Sequence, residues 1–265
     1  MMILRLAGGL GNQITQLGAA LLLANKVGCK TIIVDDGGLA SYKAKHVNQI
    51  INYFDFTELE INVIFKQLLI TKSRLPRLLP FNFINYPLIS DKNFQTALKS
   101  TNKYLWLDDY FGSCLTQKDL NEEIEILKSI FVQKDTSRKE GCIIHIRGGD
   151  YVEFGGGETA SAVFYKDAVN RMQQDYNINK FYVVTDDKKY SASILKDIDF
   201  SFIGGDMSED FYLIGRFKFR ILSSSSFASW ASALGMNDNY GAVIIPKEWM
   251  PGIKRSLRLP NEIYA

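Results

Sequence analysis

The second half of this chain alternates short apolar runs with helix-like segments, and this alternation restricts its fold more than any other feature. Apolar runs typical of buried strands occupy 142–147, 180–185, 200–203, 219–223 and 242–246. Segments with helical periodicity lie near 161–176, 188–197, 207–216 and 226–235. Because strands and helices alternate through short connections, the pattern predicts an α/β fold with a parallel, doubly wound sheet covered on both faces.

The first half opens with the same kind of unit. A strand is predicted at 3–6, a helix at 13–27 and a second strand at 31–35, with the glycine-rich sequence of residues 7–13 before the helix. Backbone N–H groups at such a helix start attract anions, although the glycines match neither the dinucleotide fingerprint nor the Walker pattern. A purely structural glycine turn therefore stays open as an alternative.

The middle of the chain predicts where this first unit ends. A strand is predicted at 104–107, followed by a helix at 117–131 that Thr116 and Asp119 would cap. Residues 134–141 are polar and mark a domain boundary. We predict two domains, at 1–135 and 136–265.

Polar side chains follow three of the predicted strands in the second half. They lie at 147–150, at 185–187 and at 223–226, where four serines precede a helix. Ligands of open α/β sheets bind beyond the carboxyl ends of the strands, so these ends would form one site if the strands are neighbours. Arg147 offers a planar set of donors that suits phosphate oxygens. Its local alternative is a surface arginine paired with Asp150.

Composition narrows the class of protein. The chain has 265 residues, 46% hydrophobic and 23% charged, as in ordinary globular proteins, and its net charge of +2 does not suggest a nucleic-acid binder. Its cysteines, Cys29, Cys114 and Cys142, are too scattered for a disulfide framework or a zinc site. With no signal-peptide pattern and no apolar stretch long enough to span a bilayer, a cytoplasmic protein is expected.

One segment suggests a membrane surface. Residues 61–90 carry no acidic side chain, but they carry four basic side chains among aromatic and aliphatic ones: Lys66, Lys72, Arg74 and Arg77. Such a segment, centred on 65–83, is typical of peripheral contact with anionic lipid. A packed insertion with its charges in water is the open alternative.

The blocks at 8–13 (GGLGNQ), 107–113 (LDDYFGS), 145–151 (HIRGGDY) and 224–230 (SSSFASW) resemble motifs of the α-1,2-fucosyltransferases, glycosyltransferase family 11. Residues 8–13 look like the family's opening motif, and residues 145–151 resemble its His-x-Arg-Arg-x-Asp motif. Residues 107–113 and 224–230 are similar to its central and C-terminal blocks. The blocks occur in family order, but Gly148 replaces the usual second arginine, and Ser224, Ala228 and Ser229 also depart from the pattern.

The resemblance implies a glycosyltransferase-B architecture, in which two Rossmann-like domains with parallel sheets face each other across a cleft. It implies an acceptor-side N-terminal domain and a C-terminal domain that binds a GDP-sugar without a metal or other cofactor. The donor-binding residues it implies are Gly9, Asn12, Gln13, His145, Arg147, Asp186, Asp187, Ser224, Ser225, Ser226 and Phe227.

The candidate catalytic residues are Arg147, together with Asp150 and Glu153, which follow it closely in sequence. Arg147 would stabilise charge that develops on the leaving diphosphate. Asp150, Glu153 and Glu158 are candidate bases for the acceptor hydroxyl. Alternatively, Asp150 anchors Arg147.

The expected function is transfer of L-fucose from GDP-β-L-fucose to a galactose hydroxyl, with inversion, to give an α-1,2 linkage. The acceptor would be a glycan or lipid-linked oligosaccharide in lipopolysaccharide O-antigen biosynthesis, at the inner face of the membrane. Two alternatives are transfer of another GDP-deoxysugar such as colitose, and a non-catalytic glycan- or nucleotide-binding protein of the same fold.

Overall fold

The chain folds into two compact α/β units, Met1–Val132 and Gln133–Ala265. A computed structural model describes residues 1–39, 46–68, 86–135, 137–149, 160–235, 241–250, 252–255, 259 and 261–265. The sheet of each unit is parallel, so the predicted α/β class is confirmed.

The first unit contains one five-stranded parallel sheet with helices. Its elements are β1 (Met2–Arg5), α1 (Leu10–Val27), β2 (Thr31–Asp35), a 3-10 turn (Ile50–Asn52), β3 (Asn62–Phe65), β4 (Leu88–Ile89), α2 (Phe94–Ala97), β5 (Leu105–Leu107) and α3 (Gln117–Ile130). The strand order is β3-β2-β1-β5-β4. The central strand β1 therefore has β2 on one side and β5 on the other, and the loops after these three strands share one edge.

Helix α1 is the buried centre of this unit. It starts after Gly9 and ends at Gly28, whose φ of 67° lies in the left-handed region that favours glycine. Helix α3 packs against it and begins at the predicted capping box of Thr116 and Asp119. At this contact the carboxyl group of Glu123 lies so close to Gly18 that a side chain there would collide with it.

The second unit contains a six-stranded parallel sheet and a small antiparallel pair. Its elements are β6 (Lys139–Ile146), α4 (Ala162–Tyr176), β7 (Phe181–Thr185), α5 (Lys188–Ile194), β8 (Ser201–Phe202), α6 (Met207–Arg216), β9 (Phe217–Leu222), α7 (Ser226–Leu234), β10 (Val243–Ile245), β11 (Glu248–Met250), β12 (Ile253–Lys254) and β13 (Glu262–Tyr264). The order β13-β10-β9-β6-β7-β8 is that of a dinucleotide-binding sheet. Its direction of winding reverses between β6 and β9.

Strand β6 is buried on both faces, as its isoleucine-rich sequence predicts. Ile144 and Ile146 on one face join a core with Phe164 and Met172 of α4. Side chains alternate along a strand, so His145 points to the opposite face, where its ring lies 5.9 Å from that of Phe227 in α7. The same strand therefore contributes to the core and places a histidine near the carboxyl end of the sheet.

The second-half strands and helices of the sequence prediction match observed elements, while strands β3, β4, β11, β12 and β13 and helix α2 were not predicted. Of the basic segment, residues 69–85 lie outside the described part of the chain. Within the described part, no helix combines the length and apolar character that crossing a membrane requires. The three cysteines are buried and free.

Candidate active site

The three polar strand ends lie next to one another in the second sheet. Ile146 of β6 pairs with Thr185 of β7, and His145 pairs with Leu222 of β9. The loops that begin at Arg147, Asp186 and Ser223 are therefore consecutive along one edge. Because the winding reverses between β6 and β9, this edge is where nucleotides bind in sheets of this order.

Arg147 and Asp186 form an ion pair across the β6 and β7 loops. Arg147 Nη1 donates to Asp186 Oδ2, and the Gly148 N–H donates to Asp186 Oδ1 over 2.8 Å. The two side chains are 36% and 32% exposed, so solvent weakens their attraction. The carboxylate thus orients both the guanidinium and the backbone beside it, the anchoring role that sequence analysis considered for Asp150.

His145 is held across the point where the winding reverses. Its Nδ1 lies 2.8 Å from Ser223 Oγ, and the Ser223 N–H donates to the His145 carbonyl over 3.1 Å. Burial, with a smaller contribution from the positive charge of Arg147, lowers the pKa of His145 to about 3. The imidazole is therefore neutral at physiological pH and acts there as a hydrogen-bonding group without charge.

The space around Gly148 explains why an arginine would not fit there in this chain. A Cβ atom at this position would lie 2.9 Å from Asp187 Cβ and 2.9 Å from Tyr190 Cδ1. The next residue, Gly149, has a φ of 48°. The departure from the family motif is thus matched by the packing of the β7 loop and α5 against this turn.

Several predicted donor-binding residues also stabilise helix ends and loops. Asp187 caps α5 by accepting from the Tyr190 N–H over 2.9 Å, and Ser225 caps α7. Ser224 Oγ donates to the Glu248 carbonyl over 2.8 Å. Ser226 is the first residue of α7, a helix that starts close behind β9 and directs its N-terminal N–H groups toward the sheet edge. A role of these residues in donor binding stays a prediction.

In the first unit, Gly9, Asn12 and Gln13 lie where α1 begins. Gly9 is the residue before α1, and Asn12 packs on Gly8. The fully buried Gln13 amide donates to the carbonyls of Gly8 and Val47 over 3.0 and 2.9 Å, and it accepts from the Gln49 N–H over 3.0 Å. Gln13 thus joins the glycine loop to segment 46–49, a structural role that leaves its predicted contact with the donor untested.

Sequence reasoning placed Ser223 among the four serines at this strand end but did not select it as a donor-binding residue. It also gave no role to Arg220, a buried arginine of β9 that donates to the carbonyls of Gly215, Phe217 and Ser232. Burial lowers the Arg220 pKa to about 9. An arginine inside an apolar strand was the only available signal.

The candidate bases Asp150, Glu153 and Glu158 lie outside the described residues. Across the described part of the chain, the histidines, cysteines and carboxylates form no group of three or more that could hold a metal ion.

Comparisons with known proteins agree with this geometry. A family model described as glycosyl transferase family 11 matches residues 2–255. The O-antigen biosynthesis glycosyltransferase WbnK of Escherichia coli is 22% identical to the chain, over 95% of each sequence.

Two solved structures share the fold. The fucosyltransferase NodZ from Bradyrhizobium superposes with a TM-score of 0.55 at 14% identity, over 87% of this chain and 90% of that one. POFUT1 in complex with GDP-fucose superposes with a TM-score of 0.52 at 9% identity, over 88% and 93%. The predicted glycosyltransferase-B-like class is confirmed by this likeness.

Proposed function

Because this chain belongs to glycosyltransferase family 11, we propose that it transfers L-fucose from GDP-β-L-fucose to a galactose hydroxyl and forms an α-1,2 linkage. Support comes from the motifs, from NodZ soaked with GDP-fucose and POFUT1 in complex with GDP-fucose, which share its fold, and from the O-antigen glycosyltransferase WbnK. The acceptor is a surface-polysaccharide or oligosaccharide precursor.

The observation that carries this proposal is the position of Arg147. It follows β6 at the point where the winding of the sheet reverses, beside the α7 N-terminus. As the bond between sugar and diphosphate breaks, negative charge grows on the β-phosphate. A guanidinium oriented in advance by Asp186 stabilises that charge without reorganisation, and the helix N–H groups add to it.

The other site residues have matching roles. Neutral His145 donates or accepts a hydrogen bond near the nucleoside, and Asp187, Ser224, Ser225, Ser226 and Phe227 complete the donor site. Gly9, Asn12 and Gln13 of the first unit are proposed to take part in donor binding as well. Since Arg147 and α7 supply positive charge, the reaction proceeds without a metal cofactor.

The proton of the attacking hydroxyl needs an acceptor. Asp150 and Glu153 follow Arg147 closely in sequence and are our candidates for this base. Residues 65–83 are proposed to contact anionic lipid from the cytoplasmic side, where lipid-linked acceptors are found.

The experiment is an assay of the purified protein with GDP-fucose and lactose, with release of GDP and formation of fucosyllactose as the readouts. We expect a trisaccharide with an α-1,2-fucosyl linkage by NMR. GDP-sugar binding without turnover identifies a binding protein instead, and turnover with GDP-colitose alone identifies a different donor.

A further inference from the structure

A pair of polar side chains in the first unit has hydrogen-bonding capacity that its surroundings do not use. Asp36 follows β2 directly, and Asn48 Nδ2 donates to Asp36 Oδ2 over 3.2 Å. An ionised carboxylate only accepts hydrogen bonds, so the amide nitrogen of Asn48 must face it and Asn48 Oδ1 must point elsewhere. This fixes one acceptor oxygen on each residue away from the pair.

Those two oxygens lack donors. Among the described residues, neither Asp36 Oδ1 nor Asn48 Oδ1 accepts a hydrogen bond, although both atoms are covered by surrounding protein. The neighbouring Asp35 is 1% exposed, and its Oδ2 is also buried without accepting a hydrogen bond from a described residue. A buried acceptor without a donor destabilises the folded protein, so three of them, two at the end of β2 and one on Asn48 bonded to it, point to a ligand that donates.

The position of the pair is fixed by the fold. The Leu6 N–H donates to the Asp35 carbonyl over 2.9 Å, which keeps the ends of β1 and β2 together. Gln13 holds Val47 and Gln49, on either side of Asn48, against the glycine loop. The pair is therefore attached to the start of α1, and it does not depend on a freely placed loop.

The surroundings also allow access. Asp36 and Asn48 are half-buried as whole residues, so part of each residue lies at the surface, and a ligand reaches the two covered oxygens only after their side chains rotate. Val47, the residue before Asn48, is 63% exposed. A sugar ring carries hydroxyl donors on its edge, which suit the two acceptor oxygens. Its C–H face suits the exposed apolar side chain of Val47.

We propose that Asp36 and Asn48 bind the acceptor glycan, by accepting hydrogen bonds from two of its hydroxyl groups. The assignment rests on the proposed function, since it takes the first unit as the acceptor side. It makes these two residues determinants of which acceptor sugar is recognised, distinct from the residues proposed to bind the donor.

The test compares Asp36→Ala and Asn48→Ala with Asp55→Ala, a matched control that removes a fully exposed carboxylate from the same unit. We expect the KM for lactose to rise about 10-fold in the first two variants, as loss of a hydrogen bond to a charged or amide oxygen implies. The KM for GDP-fucose and the rate of GDP-fucose hydrolysis without lactose should stay within about twofold, as in the control. Asp36→Asn, which keeps the bond to Asn48, repeats the comparison if an alanine variant does not fold.

The outcomes separate the two proposals. Absence of transfer by the wild-type protein contradicts the proposed function whatever the variants do. Transfer with an unchanged lactose KM in Asp36→Ala, Asn48→Ala and Asp36→Asn overturns the role of the pair. Binding can also be measured without turnover, as a shift in Tm. With GDP present, lactose should raise the Tm of the wild-type protein but not that of Asp36→Ala. Equal shifts in the two proteins, or no shift in either, overturn the inference.

Discussion

Arg147 meets Asp186 at the edge of the second sheet, and its contribution can be measured separately from folding. Arg147→Ala is expected to lower kcat by about 100- to 1,000-fold with a smaller rise in the donor KM, because the charge it meets grows in the transition state. Arg147→Lys should recover little, since an ammonium lacks the planar arrangement of donors. Steady-state kinetics with GDP-fucose gives both constants.

Arg171→Ala is the matched control for this prediction. Arg171 is also 36% exposed and also bonded to an aspartate in the second unit, Asp175, but it lies on α4. It should keep wild-type kcat. Near wild-type kcat in a folded Arg147→Ala protein would contradict the assignment of the site.

Gly148 leads to a prediction about the turn that carries Arg147. Gly148→Arg restores the residue usual in the family, yet a side chain here enters the space of Asp187 Cβ and Tyr190. We expect a Tm several degrees lower and weaker stabilisation by GDP, because the turn must move away from α5.

Gly112→Arg is the control for Gly148→Arg, since nothing lies within 4 Å of a Cβ atom placed at Gly112. Its Tm should match that of the wild-type protein. A Gly148→Arg protein that is equally stable and more active would show instead that the glycine marks a loss of function.

At the scale of elements, the contact between α1 and α3 contains a buried carboxyl group. Neither oxygen of Glu123 has a hydrogen-bond partner within the described structure. Burial, with a contribution from Asp119, raises its pKa well above 4.5. The folded protein therefore holds this proton where the unfolded chain has lost it, so stability falls as the pH rises above about 4.5.

Glu123→Gln should remove this dependence. Relative to wild type, its free energy of unfolding from urea titrations should rise between pH 5 and pH 8, because glutamine has no proton to lose as the chain unfolds. Glu125→Gln, an exposed position on the same helix, should show no such change. A pH-independent difference at Glu123 would mean that the carboxyl group is ionised in the folded protein.

The sequence predicted elements best where burial is strongest. The isoleucine run of β6 and the helix of α4 between Ser161 and Asn177 were located to within a few residues, because apolar periodicity and capping residues mark them. Strands β4 and β13 have two and three residues with two large apolar side chains each, whereas longer apolar stretches surround the equally short β8 and β10. The positions of β4 and β13 come from pairing with β5 and β10, which a single sequence does not reveal.

The candidate site was predictable in outline for a similar reason. Polar residues after apolar runs indicated the strand ends, but only the strand order makes β6, β7 and β9 neighbours. The buried amide of Gln13 and carboxyl of Glu123 look like ordinary polar helix positions in sequence. Burial of a polar group depends on the partner element, so tertiary contacts decide its role.

At the scale of the whole molecule, charge compensation in the proposed reaction comes from protein groups. We therefore expect transfer to continue in excess EDTA, measured as GDP release from GDP-fucose and lactose. The same concentration of EDTA saturated with Mg²⁺ is the control for ionic strength. Loss of turnover that Mg²⁺ or Mn²⁺ restores would contradict the metal-free proposal.

The bond between His145 and Ser223 joins residues 78 positions apart in the chain. During synthesis, β6 and Arg147 leave the ribosome well before β9 and α7, so the edge where the winding reverses is incomplete until about residue 234 has emerged. A nucleotide sugar therefore cannot assist the early folding of either unit, because its binding site is still incomplete. It can stabilise only a chain whose synthesis is nearly complete. Ribosome-stalled chains ending before β9 should accordingly gain no protease resistance from GDP, whereas released full-length chains should.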